Sequence, residues 1–128
     1  MAKLGISLLA LLTPLVGAAA QAPLIKVVGP LPLTHQIDVW SYGFAPNPIR
    51  LDSRPVILRF VNHSGASHDF TAPGFFAHAH TPLPPEVELG PHETRTIALV
   101  PAVGTYNAHC SHFMHKQLGM SDVIIVEP

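Results

Sequence analysis

The reading turns on Thr105-Tyr106-Asn107-Ala108-His109-Cys110-Ser111-His112-Phe113-Met114-His115-Lys116-Gln117-Leu118-Gly119-Met120-Ser121-Asp122-Val123-Ile124-Ile125-Val126-Glu127. Thr105 to Cys110 and Asp122 to Glu127 predict a pair of strands, and the segment between them is a donor-rich loop. That loop starts at the chain's one cysteine, reaches His115 five residues on and ends at Met120 five beyond that. Thiolate, imidazole and thioether together form the soft donor set that copper selects.

A copper ion that cycles between Cu(I) and Cu(II) with little reorganisation wants two imidazoles and a thiolate near one plane and a weak thioether on the axis. One loop can present three of these donors. The second imidazole must come from elsewhere, and Asn62-His63-Ser64-Gly65-Ala66-Ser67-His68-Asp69-Phe70 offers His68 just after a predicted strand ends at Val61.

Working outward, the remaining chain reads as an all-β domain. Gln36 to Trp40 and Val56 to Val61 alternate or run β-branched as half-buried strands do, and Val87 to Leu89 and Thr94 to Val100 are two more. Ala45-Pro46-Asn47-Pro48 and Asp52-Ser53-Arg54-Pro55 are turn signals. Strands this short point to a sandwich without crossover helices, and 14 prolines exclude long helices. One short helix is expected over Pro73 to Ala79, with proline at its start. Trp40, Tyr42 and Phe44 read as inward-facing aromatics, and Phe75 and Phe76 as a cover for the metal end.

Met1-Ala2-Lys3, the apolar Leu4 to Val16 and Ala18-Ala19-Ala20 have the order of a secretory signal, too short to serve comfortably as a membrane span. The expected organisation is therefore a signal over 1–20, an extended lead-in over 21–34 and one domain over 35–128. Processing would leave about 108 residues, a single domain by length. A lone cysteine in an exported chain cannot form an internal disulfide, and metal ligation is a natural reason to keep it. With seven Lys+Arg against eight Asp+Glu there is no basic stripe for nucleic acid.

Three segments, Phe44-Ala45-Pro46-Asn47-Pro48-Ile49, Asn62 to Phe70 and Tyr106 to Val126, resemble the cupredoxins, the superfamily of plastocyanin and azurin. The Cys-x4-His-x4-Met spacing is similar to the longer loop of the rusticyanin type. The resemblance implies a Greek-key β-sandwich with type 1 blue copper at one end. His68, Cys110 and His115 would be its equatorial ligands and Met120 its axial one. Many members carry asparagine after the first histidine, where its backbone amide helps hold the thiolate. Here that residue is Asp69, expected to turn outward into solvent. Glycine often follows two residues after the methionine, where this chain has Ser121-Asp122.

Nine histidines are a heavy bias. His112 is the rival of His115 for the loop position. His78 and His80 are candidates for a second metal site, although on a helix they diverge. His35, His63 and His92 read as solvent-facing, and Met114 beside Phe113 as packing. His109 and His112 flank Cys110, but Ser111 stands where the multicopper oxidases place a histidine directly after the cysteine.

The expected function is an exported, monomeric one-electron carrier that holds one copper ion and is not an enzyme. Its partners would be redox proteins docking near the copper end. The alternative is a periplasmic copper chaperone or buffer with a copper-delivery partner. Oxidase or nitrite reductase chemistry would need further copper centres, and a binuclear centre a second cysteine.

Overall fold

Residues 29, 31–81 and 83–128 are described by a computed structural model. The predicted signal over 1–20 and nearly all of the lead-in up to residue 30 lie outside them. The first strand, β1 (Leu33–Trp40), takes in the last two lead-in positions and pairs in parallel with β4 (Val56–Asn62), from Leu33 opposite Val56 to Val39 opposite Asn62. β2 (Gly43–Ala45) and β7 (Thr94–Leu99) flank this pair to complete a four-stranded sheet, β2-β1-β4-β7. The facing sheet comprises β3 (Ile49–Asp52), β9 (Ser121–Glu127), β8 (Gly104–His109), β5 (His68–Thr71) and β6 (Glu86–Leu89), in that order. A short helix, α1 (Pro73–His78), follows β5.

Two-residue alternation builds the core. Ile37 and Val39 of β1, Leu58 and Phe60 of β4, Ile49 and Leu51 of β3, and Ile124 and Val126 of β9 all point inward and are buried. Phe70 lies at the centre, with Phe60 at 5.0 Å and Phe44 edge-on at 5.2 Å between ring centroids. It sits two residues after His68, so the aromatic core fixes the strand that carries the distant histidine.

Several expectations are corrected. Trp40 and Tyr42 are half exposed because Trp40 has the opposite parity to Ile37 and Val39, and Tyr42 occupies a turn with φ of 71°. Only Phe44 of the three is core. Phe75 and Phe76 are buried against Tyr106 and Phe70, so they fill the interior. His35 is half-buried, with Nε2 shut off from water and unpartnered. β2, β3 and β5 had no strand signal of their own: they are three or four residues long, and β5 is buried on both faces.

The entry to β8 is set by Gly104, whose φ of +154° disfavours any other residue and whose added Cβ would lie 3.0 Å from the Tyr106 hydroxyl. That hydroxyl donates to Ala102 O at 2.9 Å, a corner that aims β8 toward Cys110.

Candidate metal centre

β4 ends in Asn62, and its side chain organises the connection to β5. Its amide nitrogen donates to Ala66 O and Gly90 O, both at 2.8 Å, and its Oδ1 accepts from the Ser64 amide and hydroxyl. The Ser64 hydroxyl in turn lies 2.9 Å from His68 Nε2. With Nε2–H donating to that oxygen, the Nδ1 lone pair of His68 faces inward.

Cys110 lies just past β8, fully buried, with its amide donating to Met120 O. The loop folds back on itself: the Met120 amide donates to His115 O, and the His115 amide to His112 O. These bonds bring the start, middle and end of the loop together. Met120 is buried beside Cys110 in the chain fold, and His115 is half-buried with the Tyr42 ring edge-on at 5.3 Å.

The result is a triangle of donors. His68 Nδ1 and His115 Nδ1 are 3.2 Å apart, Cys110 Sγ lies 3.4 Å from His115 Nδ1, and 4.0 Å separates it from His68 Nδ1. A triangle with those sides has a circumradius of about 2.1 Å, so one point in its plane lies at metal–ligand bonding distance from all three atoms. Three of the four sequence candidates thus converge on one ion-sized point, and Met120 is held by backbone bonds to two of them.

Electrostatics fit the same use. Burial pushes the Cys110 thiol up, opposed by backbone amides of Asp69 and His112 that donate toward the sulfur. Burial, then the neighbouring His115 and His112 rings, push His68 down. Without a metal the pocket holds a neutral thiol and a neutral imidazole, and a cation entering it displaces the thiol proton.

Asp69 is buried, contrary to the outward carboxylate expected. β5 is covered on both faces, and three donors replace water: the Ser111 amide at 2.9 Å and Thr71 hydroxyl at 2.7 Å on Oδ1, and the Ser111 hydroxyl at 2.5 Å on Oδ2. Its own amide still reaches the sulfur, so replacing asparagine by aspartate preserves that contact.

His112 takes no part in the triangle and turns toward Asp69 and Glu88. His78 donates from Nδ1 to Gly74 O at 2.7 Å, and neither it nor His80 joins any potential metal-binding group among the described residues. Met114 is half exposed with φ of 62°, so it does not pack as expected. His63 is exposed as anticipated, although stacked on Trp40 at 4.2 Å, and His92 is exposed in a turn. Sequence reasoning did not assign Asn62 or Ser64 a role. The signal available was a polar pair immediately ahead of a candidate ligand.

No protein-family profile matches the sequence, and no curated protein does. Solved structures do match. An auracyanin from the photosynthetic bacterium Roseiflexus castenholzii, in its dithionite-reduced form, is 22% identical, with a TM-score of 0.58 over 75% of this chain and 98% of its own. Auracyanin A, a "blue" copper protein from the green thermophilic photosynthetic bacterium Chloroflexus aurantiacus, is 20% identical, with a TM-score of 0.56 over 75% and 99%. The fold is the cupredoxin sandwich. A multicopper oxidase from Aquifex aeolicus also matches, at 21% identity and a TM-score of 0.56 over 80% of this chain, but only 32% of the oxidase is covered. The cupredoxin unit here is thus comparable to a whole auracyanin and to a fraction of the oxidase. Among the described residues, no helix is long and apolar enough to cross a membrane.

Proposed function

We propose that the chain is a mononuclear copper protein that carries one electron between protein partners. The observation that carries this reading is the donor triangle, in which His68 at the start of β5 meets Cys110 and His115 of the β8–β9 loop at one point about 2.1 Å from each. A sulfur anion with two imidazoles is the trigonal set that suits copper, and buried Met120 would add the weak axial thioether. Copper bound there supplies a one-electron couple.

The residues themselves do the rest. Ser64 and Asn62 hold His68 in one tautomer, and the Asp69 and His112 amides stabilise the thiolate. His115, half-buried under exposed Tyr42, is the ligand nearest solvent and the natural point for electron entry. Export is part of the same proposal and rests on the order of residues 1–20, which N-terminal sequencing of the mature protein would check. The wholly auracyanin-sized domain supports a carrier over an oxidase.

The chaperone reading needs extra thioether and imidazole donors converging on the centre. Met114, His78 and His80 do not converge, so nothing favours it. Loading with Cu(II) tests the proposal. An intense visible sulfur-to-copper charge-transfer band with narrow copper hyperfine splitting is expected. A pale, tetragonal nitrogen–oxygen spectrum would overturn it.

A further inference from the structure

Directly behind the first cluster lies a second. One donor atom each from Asp69, Glu88 and His112 lies within 4.8 Å of the other two. His112 Nε2 is 3.5 Å from Asp69 Oδ2 and 3.7 Å from Glu88 Oε2. The residues come from β5, β6 and the 110–120 loop. Asp69 and Glu88 face each other across the antiparallel β5–β6 ladder, which puts both carboxylates on one face of the sheet.

Three features distinguish this group from an ordinary surface charge cluster. Asp69 is fully buried and oriented by Ser111 and Thr71, as a metal-binding carboxylate is oriented by its own hydrogen-bond partners. Among the described residues, His112 is the one basic side chain within ion-pair distance of either carboxylate, so even a charged imidazole leaves net negative charge. The geometry also has room: with sides of 3.5 and 3.7 Å and a third no longer than 4.8 Å, the donor triangle has a circumradius of at most about 2.4 Å. Glu88 and His112 are partly exposed, which leaves a way in from solvent and space for water ligands.

We propose that Asp69, Glu88 and His112 form a second cation site, for a divalent ion of the zinc class, and that a cation there raises the potential of the neighbouring copper centre. One imidazole and two carboxylates are borderline-hard donors that suit zinc and not Cu(I), so the site modulates and does not store copper. The His112 ring lies 6.4 Å from the His68 ring and 5.6 Å from the His115 ring, inside a Debye length of about 8 Å. Positive charge added at that range favours the state of the centre that carries one more electron. The binding claim stands alone, and the coupling claim rests on the copper reading above.

Titrating Zn²⁺ into copper-loaded protein by calorimetry tests both. One equivalent is expected to bind while the visible band persists. Glu88→Gln and His112→Gln should each weaken binding at least about tenfold, since loss of even an outer-shell partner costs about that much. Absent zinc binding, or binding indifferent to both substitutions, overturns the site. Voltammetry should show the potential rise with Zn²⁺ in the wild type and stay still in Glu88→Gln. Linkage makes this quantitative, because each factor of ten by which reduced protein binds zinc more tightly than oxidised protein equals about 59 mV. Zinc that binds without moving the potential overturns the coupling alone. Should no blue centre form, zinc equivalents bound by the metal-free Cys110→Ser chain, with and without Glu88→Gln, still decide whether the second site exists.

Discussion

The two stretches that meet at the metal centre are anchored in opposite ways. Residues 62–70 are tied by side chains: Asn62, 2% exposed, bonds across to Gly90 and down to Ser64, and Ser64 takes His68. Residues 110–120 are tied by their own backbone, and most side chains between the buried ends Cys110 and Met120 face solvent, Phe113 at 89% exposure. The first stretch is therefore a wall of the sandwich, and the second a flap pinned at both ends. A centre that must not reorganise takes its rigidity from the wall. The flap carries the sulfur, the outer imidazole and the exposed side chains around them.

Four substitutions would break or sharpen that contrast. Cys110→Ser removes the sulfur that both halves converge on, and is expected to abolish the visible band entirely in Cu(II)-loaded protein. In the wall, Asn62→Ala removes a buried side chain that donates to Ala66 O and Gly90 O and accepts from Ser64, and should cost about 2–3 kcal/mol in chemical denaturation. If it costs no more than a substitution in the exposed flap, the contrast fails.

At the root of the flap, Asp122 is 4% exposed with Oδ2 unpartnered, and burial pushes its pKa up to about 6. Because the folded protein holds this proton to a higher pH than the unfolded chain does, stability is full below the usual carboxylate value. It then declines as pH rises through about 6. Asp122→Asn should therefore stabilise by about 1–2 kcal/mol at pH 8 and lose that gain by pH 4, as read from urea unfolding at the two pH values. The smallest effect is expected for Tyr42→Ala. Its ring meets His115 edge-on from a half-exposed turn, so stability should fall by about 0.5 kcal/mol, while NMR relaxation of the metal-free protein shows a more mobile His115 ring.

Much of this arrangement is legible in the amino-acid order. The strands with clear alternation, β1, β4, β6, β7, β8 and β9, are all found where expected to within a few residues, because period-two burial is a local property of the chain. Cys110, His115 and Met120 lie on one short loop, so their spacing alone announces them. The short strands are less visible. β5 reads His-Asp-Phe-Thr, has neither alternation nor β-branched enrichment, and is a strand because β6 and the Cys110 segment enclose it.

The same enclosure explains what the chain order misjudged. An aspartate beside a ligand reads as a solvated charge. Ser111, 42 residues away, turns it inward by supplying two hydrogen bonds. The chain by itself determined the soft donor set, the all-β class and the separation between His68 and the cysteine loop, since each follows from residue type and period. Only the tertiary structure decided that His115 joins Cys110 while His112 turns to Asp69 and Glu88, because both histidines sit on one loop and the choice depends on which distant groups the sheets bring within reach.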